Sequence, residues 1–150
     1  MNQPDTHSIQ LLQKVYATAD KMAISTSLNG QADVRIINFV WFPNEPNKLY
    51  FSSVKGTTAL KLYQAGADIA FITIPHDGTP FNPFIRSKGV KAIPSTKTMA
   101  DLLPRYLELV PNYQKTWDAI GSSLVVYEIN LQDVYVDAGI GQEKIDIHFH

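Results

Sequence analysis

The residues best suited to chemistry are one arginine among apolar neighbours and a polar run where a strand gives way to a helix. Arg35 stands in Val34-Arg35-Ile36-Ile37-Asn38, and Ser52-Ser53-Val54-Lys55-Gly56-Thr57-Thr58 leads on to Lys61. A guanidinium is a planar fork that matches phosphate oxygens two at a time, and arginine is seldom buried without a partner. A glycine turn into a helix leaves backbone N–H groups open at the positive end of the helix dipole, and hydroxyls and Lys55 add donors there. Brought together, these groups would hold a phosphate. Taken separately, each has an ordinary explanation. Arg35 can be an edge-strand arginine paired with a carboxylate, and serines and threonines cap helices for local reasons. The run is not a P-loop, because the G-x-x-x-x-G-K-[ST] spacing is absent.

Other candidates are weaker. Arg86, Ser87, Lys88 and Lys91 interleave with Ile85, Val90 and Ile93, as expected for the solvated face of a half-exposed strand. His76-Asp77 lies in the loop PHDGTPFNP, where Asp-Gly is a turn former. His148 and His150 are two apart and share a strand face, but two imidazoles without a third ligand do not make a metal site. With no cysteine, disulfides, thiol catalysis and cysteine-ligated metals are excluded. No G-x-S-x-G, no H-E-x-x-H and no acid pair is present, so no catalytic acid, base or nucleophile is assigned.

The elements that must position Arg35 and the polar run follow from periodicity. Residues 6–19 show helical spacing through Ile9, Leu12, Val15, Tyr16 and Ala19, with Asp5 or Thr6 as the cap. From Met22 the pattern alternates, and Asn29-Gly30 is a strong hairpin signal because both residues tolerate positive φ. Ala32 to Phe42 is nearly continuous in apolar residues and predicts a strand buried on much of both faces. A turn at Pro43–Asn47, a third strand at Leu49–Phe51 and a helix from Thr57 or Thr58 to Tyr63, closed by Gly66, come next. Ala67–Ile74 and Phe84–Ile93 read as strands. Ser95–Leu109, kinked or broken at Pro104, and Pro111–Ile120 read as helices. Ser122–Val136 alternates throughout, and Lys144–Phe149 adds a last strand. The whole predicts an antiparallel barrel of six or seven strands, mainly β, with helices at the N-terminus and after strands three and five. No strand leads into a G-x-G-x-x-G fingerprint, which argues against a Rossmann unit.

At 150 residues the chain fits one domain, 1–150. A formal net charge of -1 argues against nucleic acid as a partner, and no apolar run is long enough to span a membrane. The first ten residues lack a signal-peptide pattern, so the expected location is cytoplasmic.

In order, the stretches MAISTS, NGQ, VRIINF, LYFSS, KGTTALKL, ADIAF and FIRSKGV resemble the pyridoxamine 5′-phosphate oxidase-like family from about Leu11 to Asp137. The resemblance implies an FMN-binding split β-barrel. It implies that Arg35, with Ser52, Ser53, Lys55, Thr57, Thr58 and Lys61, holds the flavin phosphate, while Ile36, Ile37 and Asn38 lie beside the ring. It also implies a homodimer with flavin sites at the interface, the second subunit adding residues near Arg86–Gly89. Two departures stand out. Ala59 occupies a position where many members carry a lysine or arginine, leaving Lys55 or Lys61 to compensate. The sequence ends GQEKIDIHFH, without the tryptophan-, arginine- and histidine-bearing segment of true pyridoxamine-phosphate oxidases, so the likeness points to the flavin rather than to vitamin B6 as substrate. The expected function is FMN-dependent transfer of a hydride or electron pair with an unidentified small substrate. A deazaflavin-dependent reductase and a flavin-binding or sensing module without turnover are the alternatives.

Overall fold

Asn29 and Gly30 both adopt positive φ, 52° and 79°, and fold β1 (Ala19–Leu28) back onto β2 (Gln31–Asn38) in the computed structural model, which describes residues 4–149. That conformation matches the right-handed twist of the strands it joins. Ahead of the hairpin, α1 (Thr6–Tyr16) is capped by Asp5, whose carboxylate accepts from Ser8 N at 2.7 Å. After it come β3 (Lys48–Val54), α2 (Thr58–Gln64), β4 (Asp68–Pro75), β5 (Phe84–Val90) and β6 (Ala92–Pro94). Then follow α3 (Met99–Leu109), α4 (Tyr113–Ile120), a 3₁₀ turn, β7 (Leu124–Asn130), β8 (Asp133–Asp137) and β9 (Lys144–His148).

The strands form two antiparallel sheets, β2-β1-β4-β5-β8-β9 and β3-β7-β6. Met22 and Ile24 of β1, Ile69 and Phe71 of β4, Ile85 of β5 and Val136 of β8 pack against Leu49 and Phe51 of β3 and Ile129 of β7. Leu12 and Val15 of α1 join this core. The second face of the small sheet, with Tyr50 and Val126, is covered by Leu102 and Tyr106 of α3 and Tyr113 of α4. The second face of the large sheet is open: Val34 and Ile36 are each 65% exposed, and Ile72 is 37% exposed. Among the described residues no helix is long and apolar enough to cross a membrane.

The barrel is built as expected, but several boundaries differ, and the described residues form nine strands rather than six or seven. The apolar run Ala32–Phe42 is not one buried strand. β2 ends at Asn38 and is an exposed edge, while Phe39, Val40 and Trp41 turn inward and Val40 bridges Tyr50 of β3. Phe84–Ile93 divides at Lys91, between β5 in the large sheet and β6 in the small one, just after Gly89 at a φ of 68° makes a bulge in the pairing of β5 with β4. Ser122–Val136 divides at Leu131–Gln132, because Leu131 N bonds Asn47 O and the chain then changes sheets. α3 begins at Met99 because Thr98 and Asp101 form a reciprocal capping box there. It runs unbroken through Pro104, which removes only the bond from its own position to the carbonyl of Ala100.

A buried carboxylate on β7 ties that strand to β3 and to the residue that follows β6. Glu128, with 6% of its side chain exposed, accepts from Lys48 Nζ at 3.0 Å and from the Ser95 hydroxyl at 2.9 Å. Removing one partner of a buried pair leaves the other charge uncompensated. Lys48→Met is therefore expected to destabilise the fold by ~2–3 kcal/mol, softened by the partial exposure of Lys48. The double variant Lys48→Met/Glu128→Gln should recover most of that loss in urea unfolding. Equal stability of the single variant and the parent would show that the pair contributes nothing.

Candidate functional site

Arg35 stands opposite Ile24 in the β1–β2 register, and Ile37 stands opposite Met22. Because side chains alternate along a strand, both lie on the core side of the large sheet, while Ile36 and Asn38, opposite Ala23 and Lys21, lie on the open side. The four predicted residues of β2 are thus divided between its faces. As an edge strand β2 leaves Arg35 beside α2. Its guanidinium lies against the Tyr63 hydroxyl and is paired with Asp33. Burial pushes the Tyr63 phenol up, and the adjacent guanidinium draws it part of the way back.

The polar run is also divided. Ser53 faces the interior with Phe51 and is buried. Ser52 faces α3 and α4, beside the stacked rings of Tyr106 and Tyr113, whose centroids are 4.5 Å apart. The hydroxyls of both tyrosines are buried and lack a hydrogen-bond partner among the described residues, Ser52 lying near but outside bonding geometry. Burial raises both phenols. Thr57 caps α2: its hydroxyl donates to Val54 O at 2.8 Å and accepts from Leu60 N at 3.3 Å. Its proton is therefore already committed. Thr58 and Lys61, on the first turn of α2, are exposed and free to meet a ligand. Lys55 reaches toward Ser122 O at 3.5 Å and lines a groove of about 510 Å³ with Gln64, Ser95 and Lys97. No hydrogen bond joins it to Arg35. The structure thus brings Arg35 to the flank of α2 but does not gather all the predicted donors at one point.

The open face of the large sheet carries a larger groove, about 700 Å³, lined by Ser25, Val34, Ile72, Arg86, Lys88 and Tyr135. Arg86 stacks over the Tyr135 ring at 4.8 Å, and Phe84 stacks with Tyr135 at 5.9 Å. One half of the face is therefore apolar and the other cationic and aromatic.

A cluster that sequence reasoning missed lies at the end of the β1–β2–β4 ribbon. Asp20, 4% exposed, meets His76 Nδ1 at 3.3 Å and is bridged by Asn38, whose Nδ2 donates to Asp20 O at 3.0 Å. The one available signal was an acid opening an apolar strand. The His76 carbonyl also makes the expected turn, accepting from Thr79 N at 3.0 Å around Gly78 at positive φ. His148 pairs with Asp133, and His150 lies outside the described residues.

Comparison with known proteins agrees with this architecture. No curated protein matches the chain in sequence. Among solved structures, the chain is similar to General Stress Protein 26 from Bacillus anthracis, with a TM-score of 0.66 at 14% identity, covering 95% of this chain and 100% of that one. It is similar to a heme binding protein from Mycobacterium smegmatis, with a TM-score of 0.68 at 10% identity, covering 99% of this chain and spanning 60% of that one. It is also similar to a FAD-binding protein from Mesorhizobium loti, with a TM-score of 0.59 at 14% identity, covering 87% of this chain and 92% of that one. At such identities the likeness speaks for the fold alone. The family comparison reaches further, because residues 15–143 match the family described as pyridoxamine 5′-phosphate oxidase-like. The chain belongs to the pyridoxamine 5′-phosphate oxidase-like family.

Proposed function

We propose that this protein binds FMN and moves a hydride or an electron pair between it and a small substrate, acting as a homodimer with the flavin at the interface. The observation that carries the reading is Arg35: a guanidinium on the core side of an edge strand, lodged against the Tyr63 hydroxyl of α2, the short helix that also carries exposed Thr58 and Lys61. Five N–H donors in a fixed fork, one of them engaged by Asp33, suit a phosphate that carries two negative charges. This donor set fits the phosphate of a flavin mononucleotide. Arg35, Thr58 and Lys61 would hold that phosphate. Ile36 and Asn38 would lie beside the ring on the open face, and Lys55 would contribute charge from its groove. Thr57 serves the site by fixing the start of α2, while Ser52, Ser53 and Ile37 support it from within the packing. A flavin bound there would supply the redox chemistry.

The family membership and a FAD-binding structural neighbour support flavin as the cofactor class. A deazaflavin in the same position, or a module that stores or senses flavin without turnover, uses the same residues and differs only in the steps after binding.

The test is the visible absorption spectrum of the purified protein before and after addition of FMN, together with mass spectrometry of the compound that heat releases. An oxidised-flavin spectrum with an FMN mass is expected. A deazaflavin mass would exchange the cofactor and keep the site. A colourless protein that takes up neither would return Arg35 to the role of a paired structural arginine. Reduction by a nicotinamide donor and reoxidation by an acceptor would separate an enzyme from a carrier.

A further inference from the structure

We propose that the groove on the open face of the large sheet binds a small organic acid, a carboxylate joined to a flat apolar body. Arg86 and Lys88 take the carboxylate, and the body lies over β4 and β1. None of the residues assigned to the flavin phosphate lines this groove, so the two readings stand or fall separately.

The strand registers assemble the groove residue by residue. One row across the open face runs Ala23, Ile72, Arg86, Tyr135 and Asp146. The next runs Val34, Ser25, Ala70 and Lys88. Alternation along each strand turns these side chains away from Ile24, Phe71 and Ile85 of the core. Ala23, Ser25 and Ala70 have short side chains, so they make a floor between Val34 on β2 and the long cations of β5. The bulge at Gly89 adds local twist to β5 beside Lys88. The hollow measures about 700 Å³, within the size range of small-molecule sites.

Charge decides what enters. Solvation alone accounts for an arginine and a lysine on an open strand face, but not for their lack of partners here. Arg86 and Lys88 make no ion pair among the described residues, although Asp133 and Asp146 line the same groove. Asp133 is met by His148, and Asp146 stands on the far side of Tyr135 in the register. The guanidinium is held in place all the same, 4.8 Å over the Tyr135 ring and 5.9 Å from the Phe84 ring. Stacking on a ring leaves the N–H donors at a guanidinium's edge available, and they match a carboxylate two at a time. Lys88 lies two residues along the same face of β5, roughly 7 Å away, and adds a second point charge.

The rest of the groove sets the body. Arg86 on β5 and Ala23 on β1 are two strand spacings apart, roughly 9–10 Å, which suits a two-ring aromatic carboxylate. Over that span Ala23, Ala70 and Ile72 offer apolar surface, and Ser25 adds a hydroxyl. An acid reaching the other way meets Asp133 and Asp146 at the far rim, which repel it. The ligand is thus fixed in direction, and a chain of several phosphates is disfavoured.

The test titrates the full chain with 2-naphthoate and with its uncharged analogue 2-naphthamide, by calorimetry and by amide-shift mapping. 2-Naphthoate is expected to bind once per chain and at least tenfold more tightly than the amide, the size of a charge-assisted contact. Arg86→Gln should lower 2-naphthoate affinity at least tenfold and leave the amide unchanged. Lys88→Gln should lower it less, and Ile72→Ser should weaken both ligands alike. All three positions are exposed within one chain, so the variants keep the fold, which thermal melts check. Absence of 2-naphthoate binding at millimolar concentration, equal affinity for acid and amide, or an unaffected Arg86→Gln variant would each overturn the site. Binding that appears only when the parent is diluted to monomer would put a second copy of the chain in the groove and overturn it too.

Discussion

Replacing Arg35 with alanine is expected to weaken FMN binding by at least ~1.5 kcal/mol, more than tenfold in Kd, without unfolding the protein. The size follows from charge-assisted hydrogen bonds to a phosphate, which are worth more than bonds between neutral groups. The tolerance of the fold follows from position. Arg35 lies on an edge strand, its Asp33 partner is 56% exposed, and the pair is not the kind whose loss strands a buried charge. Asp33 also gives the prediction a second arm. In the free protein its carboxylate occupies part of the guanidinium, so a phosphate must displace or share it. Asp33→Asn should therefore bind FMN at least as tightly as the parent, and Arg35→Lys should recover charge but not the fork. Isothermal titration of the apoprotein checks all three. Unchanged affinity in a folded Arg35→Ala variant would remove Arg35 from the site. Loss of thermal stability alone would identify it as structural, acting through Asp33 and Tyr63.

Much of this architecture is legible locally. Asn29-Gly30 announces its turn because few other pairs accept two positive φ angles, and Thr57 and Gly66 bracket α2 because caps depend on neighbours a few residues away. The places where strands change sheets are not legible in the same way. Alternation continues through Leu131, and nothing local at Leu131 or at Lys91 says that the partner strand has changed. Faces within the polar run obey the same logic. Ser52 and Ser53 are adjacent in sequence and therefore opposite in a strand, so their chemistry could be listed together but their positions could not coincide. The Asp20–His76 pair escaped because its two halves are 56 residues apart and meet only through a bulge. The apolar run after Gly30 was legible in type and misleading in burial. Val34 and Ile36 look like core residues, yet nothing among the described residues covers them.

Their exposure motivates the second large effect. Ile36→Lys is expected to raise the dimer dissociation constant more than 100-fold, read by sedimentation velocity over a concentration series. Val34, Ile36 and Ile72 form an apolar strip across β2, β1 and β4, with Ala23 between Ile36 and Ile72 in the strand registers and Ser25 between Val34 and Ala70. A cationic and aromatic flank on Arg86 and Tyr135 borders the strip, and Asp133 and Asp146 lie at the groove's far rim. A face with an apolar centre and both signs of charge at its margins can meet a second copy of itself about a two-fold axis. In such an interface each substitution acts twice. Burying one isoleucine side chain is worth ~1.5–3 kcal/mol, so losing it from both copies costs at least ~3 kcal/mol, before the added cost of placing two lysines in an apolar contact. The monomer fold should be untouched, because Ile36 is 65% exposed within one chain and its removal would leave no cavity behind. If the flavin sites are built at this interface, the same variant should lose FMN affinity in step with dimerisation, and raising protein concentration should restore both together. A variant that remains dimeric would move the interface to another face. A parent that is monomeric at all concentrations would leave the strip as a surface awaiting a different partner and would confine the flavin site to residues of a single chain.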